Sequence, residues 1–431
     1  MTALSAIGGL LLILSVIFLA TFVLRILFVP LAIAHEVADW NRRLKGKDGV
    51  LHATPTVTVV VPAYNEEAVL ESCVSSIISS GYPALEIIIV SDGSTDATAD
   101  IGARLAAENP QVRFVHQTNA GKGAALNNGY RKSSGEFLMF VDADSVFTPD
   151  TVPEMLRAFR TDDIGAVCGD DRPVNLDRIQ TRFLALITYV GTGLVRRAFD
   201  ILRCVPVISG NCGTFRREAL EAVSDERGPF REDTIGEDLE LTWRLHRSQW
   251  RVAFAPHAVV FAESPSTARD LWKQRVRWAR GLLQGIRHHA DALVNWRRPI
   301  FSAFLWFTVV TMVVVPISQI GLSIAAVWAV IRALVYGTWD ALTVGIDVWA
   351  ILAASGLGLS LALLLISMAL SNALYDLRHI WTAPVWPLYS LAMSFTIPRA
   401  LWLEVQNRPN VWNKPQRTGV ISTASETTLT P

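Results

Sequence analysis

Val57-Thr58-Val59-Val60-Val61-Pro62-Ala63-Tyr64-Asn65-Glu66-Glu67 begins as an apolar, largely β-branched run and ends in polar residues. A run that is apolar nearly throughout reads as a strand buried on both faces. The form recurs at Ile87–Val90, Val112–Val115, Phe137–Val141 and Gly165–Cys168, with Arg113 making the third the least apolar. Helical patterns near 66–80, 95–108, 121–133 and 149–160 lie between these runs. Strand–helix alternation predicts an α/β layer with a mostly parallel sheet. Ligands of such sheets bind at the carboxyl ends of the strands, so the polar turns are the places to look.

Two of those turns are alike. Asn65-Glu66-Glu67 follows the first strand, and Ser91-Asp92-Gly93-Ser94-Thr95-Asp96 follows the second. Each can be a turn and helix cap, with Asn65 as N-cap and glutamates on the positive helix end. Together they put carboxylates beside one crevice. Asn119-Ala120-Gly121-Lys122-Gly123 sets a lysine between glycines at a helix start. Backbone N–H groups and a lysine there can hold phosphate, although an ordinary Gly-rich turn has the same composition. Phe137-Leu138-Met139-Phe140-Val141 runs straight into Asp142-Ala143-Asp144. Two carboxylates so close would repel and lose hydration in a core. At an exposed strand end they suit Mg2+ or Mn2+, hard cations that bridge to a diphosphate. Gly236-Glu237-Asp238-Leu239 places acids at a helix N-terminus, where they cap or serve as a base for a hydroxyl. Leu271-Trp272-Lys273-Gln274-Arg275-Val276-Arg277-Trp278 is basic and aromatic, as a membrane-surface helix is. It also offers Trp278 to a sugar ring and Arg277 to a diphosphate.

The 39 basic and 39 acidic residues balance, so charge points to no nucleic acid or other polyanion. The four cysteines, Cys73, Cys168, Cys204 and Cys212, form no CxxC pair. They suggest neither a disulfide framework nor zinc, and fit a reducing compartment. Residues 6–24 supply about 19 uncharged residues, a bilayer's length. Arg42, Arg43, Lys45 and Lys47 follow, which places residue 35 onward in the cytoplasm. Further membrane candidates are 303–331, 348–370 and 383–403, the last broken by Pro384, Pro387 and Pro398, with an interfacial segment as its alternative. Expected domains are an N-terminal membrane helix over 1–34, a basic linker over 35–54 and a catalytic domain over 55–265. An interfacial helix region over 266–300, membrane helices over 301–403 and a polar, disordered tail over 404–431 follow.

The ordered set Pro62-Ala63-Tyr64-Asn65-Glu66, Ser91-Asp92-Gly93-Ser94-Thr95-Asp96, Lys122-Gly123, Asp142-x-Asp144, Glu237-Asp238 and Gln274-x-x-Arg277-Trp278 resembles the inverting family-2 glycosyltransferases. Within them it is similar to membrane synthases of poly-N-acetylglucosamine, hyaluronan, chitin oligomers and cellulose. The resemblance implies a GT-A fold, a UDP-sugar donor and Mg2+ or Mn2+. It implies that Ala63, Tyr64, Glu66 and Asp92 line a uridine pocket, with Lys122 and Asp142 near the nucleotide and Asp144 on the metal. Glu237 and Asp238 would form the catalytic pair, with Asp238 the general base. Gln274, Arg277 and Trp278 would hold the diphosphate and the acceptor end. Ser209-Gly210-Asn211-Cys212-Gly213-Thr214-Phe215-Arg216-Arg217 resembles an acceptor-lining segment, which brings in Gly210, Cys212 and Arg216. The product would be a β-linked polysaccharide, with N-acetylglucosamine the first choice of sugar, made at the plasma membrane by a multi-pass protein with a cytoplasmic catalytic domain. An export partner is left open.

The usual threonine before the acidic pair is Gly236 here, and one span rather than two precedes the catalytic domain. That layout fits poly-N-acetylglucosamine and chitin-oligomer synthases better than hyaluronan or cellulose synthases. The alternative enzyme is a non-processive transferase acting on a lipid acceptor, which shares the Gln-x-x-Arg-Trp pattern. A transporter without chemistry would need ionisable residues inside the spans, and Arg332 and Asp347 lie at segment ends.

Overall fold

The computed structural model describes residues 16, 20, 23–47, 49–337, 356–410 and 417–420. Eight strands form one sheet in the order β3-β2-β1-β4-β7-β6-β8-β5. They are β1 (Val57–Ala63), β2 (Leu85–Asp92), β3 (Val112–Gln117), β4 (Phe137–Phe140), β5 (Val146–Phe147), β6 (Ile164–Pro173), β7 (Gly213–Arg216) and β8 (Arg251–Ala262). The β3-β2-β1-β4 half is parallel throughout. β7 is inserted antiparallel between β4 and β6, β6 and β8 are parallel, and β5 closes the edge antiparallel to β8. All five strands expected from the apolar runs are present. β5, β7 and β8 were not foreseen.

Every residue of β1 is buried, and Ile87 to Val90 of β2 are fully enclosed. Helices Leu70–Ser79, Thr98–Glu108, Lys122–Lys132 and Thr151–Arg157 pack on this layer. The first begins later than the sequence predicts, and Asn65 does not cap it. Asn65 takes a left-handed backbone (φ 52°), and its Oδ1 accepts the Thr95 N–H at 2.8 Å. The Glu67 carboxylate likewise accepts the Ala97 N–H at 3.0 Å. The turns after β1 and β2 thus satisfy each other's backbone donors, which welds one rim of the crevice.

Strand order changes direction between β1 and β4: β1 leads to β2 on one side, and β4 lies on the other. The Asp142-x-Asp144 stretch therefore falls at the switch point, where α/β sheets open a crevice. A second, aromatic core carries the rest of the site. Trp243 of helix Glu237–Arg247 packs edge-on against Phe301 and Phe304, with centroids 6.1 and 6.0 Å away. Phe28 and Phe199 join the same core.

Helix Phe28–Leu44 runs through the expected 34/35 boundary, so the basic stretch is not a free linker. Arg42 and Arg43 pair with Asp39, Arg43 also with Glu154, and His35 reaches Asp200 at 2.8 Å. All four cysteines are buried and unpaired. Among the described residues, one helix, Pro299–Tyr336, is long and apolar enough to cross a membrane; Gly356–Leu370 is a shorter apolar helix. The 6–24 segment lies almost wholly outside the described residues, as does 348–355. The 383–403 segment is not one continuous helix. It breaks into Trp386–Ser394 and Thr396–Val405, because proline lacks the N–H that a continuing helix needs. Nor is the 404–431 stretch simply a loose tail. Glu404 lies in helix Thr396–Val405, which packs on Ala268–His288, and residues 417–420 lie against the catalytic domain.

Candidate active site

Helix Glu237–Arg247 sets the site's floor. Thr242 Oγ1 donates to the Asp238 carbonyl at 2.7 Å and accepts the Ile208 N–H at 2.9 Å. His246 Nε2 meets the Val205 carbonyl at 2.7 Å. The 205–210 segment is therefore pinned along this helix. The Gly210 carbonyl then accepts the Asp142 N–H at 2.9 Å. Those few bonds bring the end of β4, the Ser209-Gly210 turn and the helix start together. They close around a small cleft with Lys122, Gly210, Glu237 and Asp238 in its wall.

Lys122 is the hub. Its Nζ lies 2.7 Å from Asp142 Oδ1 and 2.9 Å from Glu237 Oε1. Burial alone would lower its pKa, but Asp142, Glu237 and Asp238 outweigh that and hold the ammonium charged. Sequence reading left the lysine's loop open between a phosphate site and an ordinary Gly-rich turn. Two of that loop's N–H groups are already taken, however. Ala120 N and Gly121 N donate to the Asp92 carboxylate at 2.8 and 2.9 Å. Gln117 Nε2 adds a third bond at 2.8 Å. A buried anion claims the nearest donors because charge-assisted bonds are the stronger ones. Asp92 thus holds the loop that presents Lys122.

Asp238 is partly buried at the helix start. Burial, then the adjacent Glu237 carboxylate, push its pKa up to about 6, while Lys122, the Leu239 N–H and Arg277 pull it down. Arg277 comes from helix Ala268–His288, which approaches closely because two glycines meet. A Cβ on Gly236 would sit 3.0 Å from Gly281 Cα, and the converse contact is also 3.0 Å. Gly281 is one turn beyond Arg277 on the same helix face. The residue that replaces the usual threonine is therefore the contact point itself. A threonine side chain at 236 would push the Arg277 helix away.

The structure separates the acceptor candidates. Trp278 is half exposed, with the Arg275 guanidinium carbon 4.1 Å from its ring centroid. Gln274 is partly buried one turn before it. Cys212 is fully buried and donates to Asp171 Oδ1 at 3.0 Å. Arg216 stacks over Phe137 and Phe159 at 5.2 and 5.7 Å, and pairs with Phe137 at the start of β4, the strand end away from Asp142. Of the acceptor-like segment Ser209, Gly210 and Phe215 reach the cleft, while Cys212 and Arg216 do not line it. On the uridine side, Ala63 and Glu66 are buried and Tyr64 partly so, at the β1 turn.

Asp144 is buried, and its two oxygens differ. Oδ2 accepts Arg417 Nη1 at 2.8 Å and the Glu263 N–H at 3.2 Å. Oδ1 has no hydrogen-bond partner. Among the described residues no three His, Cys, Asp or Glu side chains converge as a ready metal cage. Two oxygen donors at a strand end, one with a vacant buried oxygen, nevertheless fit a hard cation completed by a diphosphate. Sequence reading missed two contributors. Arg417 lay in a tail taken as disordered. Gln284 Oε1 accepts Thr234 Oγ1 at 2.9 Å and the Ile235 N–H at 3.1 Å, steadying the loop before Glu237. Its other end donates to Glu404 and Asn410. Neither has a local pattern to betray it, since each acts across more than a hundred residues of sequence or from a solitary helix position.

The family model described as "Glycosyltransferase like family 2" matches residues 55–281. The poly-beta-1,6-N-acetyl-D-glucosamine synthase of Staphylococcus epidermidis is 36% identical over 231 residues, 52% of this chain and 54% of that one. The Staphylococcus aureus (strain COL) synthase of the same name is 34% identical over the same shares. The chain thus spans about half the length of the curated relatives it matches. In fold it is similar to the mannosyltransferase PcManGT from Pyrobaculum calidifontis, solved with GDP-Man and Mn2+. The TM-score is 0.57 at 23% identity, over 88% of this chain and 99% of that one. The α/β domain with its mostly parallel sheet is thereby a GT-A fold. Matched over more than half its length, this chain belongs to the glycosyltransferase-like family 2.

Proposed function

We propose that this chain is a processive, inverting N-acetylglucosaminyltransferase, drawing on UDP-N-acetylglucosamine and lengthening a β-linked polysaccharide at the cytoplasmic face of a membrane. The observation that carries the proposal is the meeting of Asp238, Glu237, Asp142 and Lys122 at one cleft beside Asp144. The similarity to poly-N-acetylglucosamine synthases supports the sugar and the polymer. The apolar Pro299–Tyr336 helix, and the exposed aromatic and aliphatic residues along it, support the membrane.

In this reading Ala63, Tyr64 and Glu66 line the uridine pocket, and Asp92 shapes it through the loop it holds. Asp142 and Asp144 would hold Mg2+ or Mn2+, which would supply positive charge to offset that on the departing diphosphate. Arg277 and Gln274 hold that diphosphate from the facing helix. Asp238 accepts the proton of the acceptor hydroxyl. The freed oxygen bonds to the anomeric carbon as the bond to UDP breaks, so an α-linked donor gives a β-linked product. Glu237 keeps Lys122 in place beside the base. Acceptor contacts fall to Ser209-Gly210 and to Trp278, whose ring is backed by Arg275 and half exposed.

Trp278 gives the test. Trp278→Phe is expected to cut polymer yield from labelled donor while UDP affinity survives, because the smaller ring loses stacking area. Trp272, on another side of the same helix and partly buried, is the control. Trp272→Phe should leave yield near normal. Equal, small effects at both positions would reduce Trp278 to a membrane anchor and remove the polymer platform.

A further inference from the structure

Arg417 and Thr418 are far from the catalytic motifs in sequence, yet they are built into the Asp144 corner. Arg417 Nη1 bonds both Asp144 Oδ2 at 2.8 Å and the Glu263 carbonyl at 3.1 Å. Its side chain is only 15% exposed. The Thr418 N–H donates to Glu263 Oε1 at 2.8 Å, and its hydroxyl donates to the same carboxylate. Gly419 has φ 65°, and a Cβ there would lie 2.9 Å from the Ala68 carbonyl in the β1 turn. Side chain, backbone and a required glycine all fix the segment in this place.

Two explanations compete for the ion pair. Either Arg417 substitutes for a cation and excludes it, or it orients the carboxylate that binds one. A guanidinium replacing a cation would span both carboxylate oxygens as a fork. Arg417 takes one oxygen, shares that same nitrogen with Glu263, and leaves Asp144 Oδ1 buried without a donor. An unsatisfied buried acceptor is costly, and a bound cation would satisfy it. The carboxylates of Asp144, Glu66, Asp142 and Glu263 all act on Arg417, an acidic setting that suits a divalent ion.

We propose that Arg417 is a positioning residue for a divalent cation: with the Glu263 N–H it clamps Asp144 Oδ2 and so presents Oδ1 as the ligand. The inference rests on the reading of Asp142 and Asp144 as the metal carboxylates. Groups that orient metal ligands are worth about 10- to 100-fold in metal affinity.

The test is Mn2+ binding, not turnover. Full-length protein in detergent is titrated with MnCl2, alone and with UDP, and free Mn2+ is followed by electron paramagnetic resonance. Arg417→Ala and Arg417→Gln should each weaken Mn2+ binding by about tenfold or more. Arg417→Lys should keep most of the affinity, because a charged donor remains. Two neutral variants are used so that a folding failure in one leaves the other to decide. Unchanged or tighter Mn2+ binding in a folded neutral variant overturns the proposal, and tighter binding would make Arg417 a competitor of the cation. Asp144→Ala separates the two layers. If it binds Mn2+ like the wild type, the metal reading of Asp144 itself is wrong, whatever Arg417 does.

Discussion

Asp238→Asn lowers sugar transfer by at least about a hundredfold, roughly 2.7 kcal/mol of barrier, while UDP affinity is kept. The amide keeps the shape and cannot take a proton. The geometry makes the expectation specific, because the carboxylate lies at the cleft with its pKa raised to about 6 by burial and by Glu237. A base works only when ionised. In the wild type kcat/KM should therefore fall as pH drops through about 6, and be flat above it until another group titrates. That acid limb should disappear from the residual activity of Asp238→Asn. Near-normal turnover, or an unchanged acid limb, would place the base elsewhere.

Asp144→Ala is expected to abolish the cation requirement of UDP binding and to lower transfer by about a hundredfold or more, since a hard cation depends on its carboxylates. UDP affinity is measured with Mn2+, with Mg2+ and with chelator. In the wild type the cation should tighten UDP binding, and in Asp144→Ala the three conditions should agree. The variant also frees Arg417 from its ion pair, so Arg417→Ala measured beside it shows how much of the loss runs through that contact. A preserved cation effect in Asp144→Ala would leave Asp142–Asp144 as a turn.

The parallel half of the sheet was legible because strands buried on both faces are written as continuous apolar runs, as in Ile87–Val90 and Phe137–Val141. β7 was not, because Gly213-Thr214-Phe215-Arg216 is short, mixed in polarity and stabilised by its neighbours β4 and β6. The carboxylates of the cleft were legible as residues that a core would reject. Their partners were less so. Lys122 was found as a lysine between glycines, but its bonds to Asp142 and Glu237 depend on how two distant segments fold together. Asp92 looked like a ligand and is held by its own loop. Gly236 looked like a missing hydroxyl and is a packing contact with Gly281. Arg216 shared a segment with Gly210, yet strand geometry sends it to the far end of β4, and Cys212 is buried against Asp171. Arg417 gave no sign of a site, because an arginine that follows Arg408 and Lys414 in a polar tail looks like any solvated charge.

The central claim is polymerisation from a UDP-sugar, and product mass tests it most directly. Purified full-length protein in detergent is given each common UDP-sugar in turn, with Mn2+ or Mg2+ and with chelator, and UDP release and product mass are recorded together. The account predicts that UDP-N-acetylglucosamine with a cation gives UDP release and a ladder of products spaced by one N-acetylglucosamine residue, and that chelator stops both. A single sugar added to a lipid, or a ladder from another UDP-sugar alone, would contradict it.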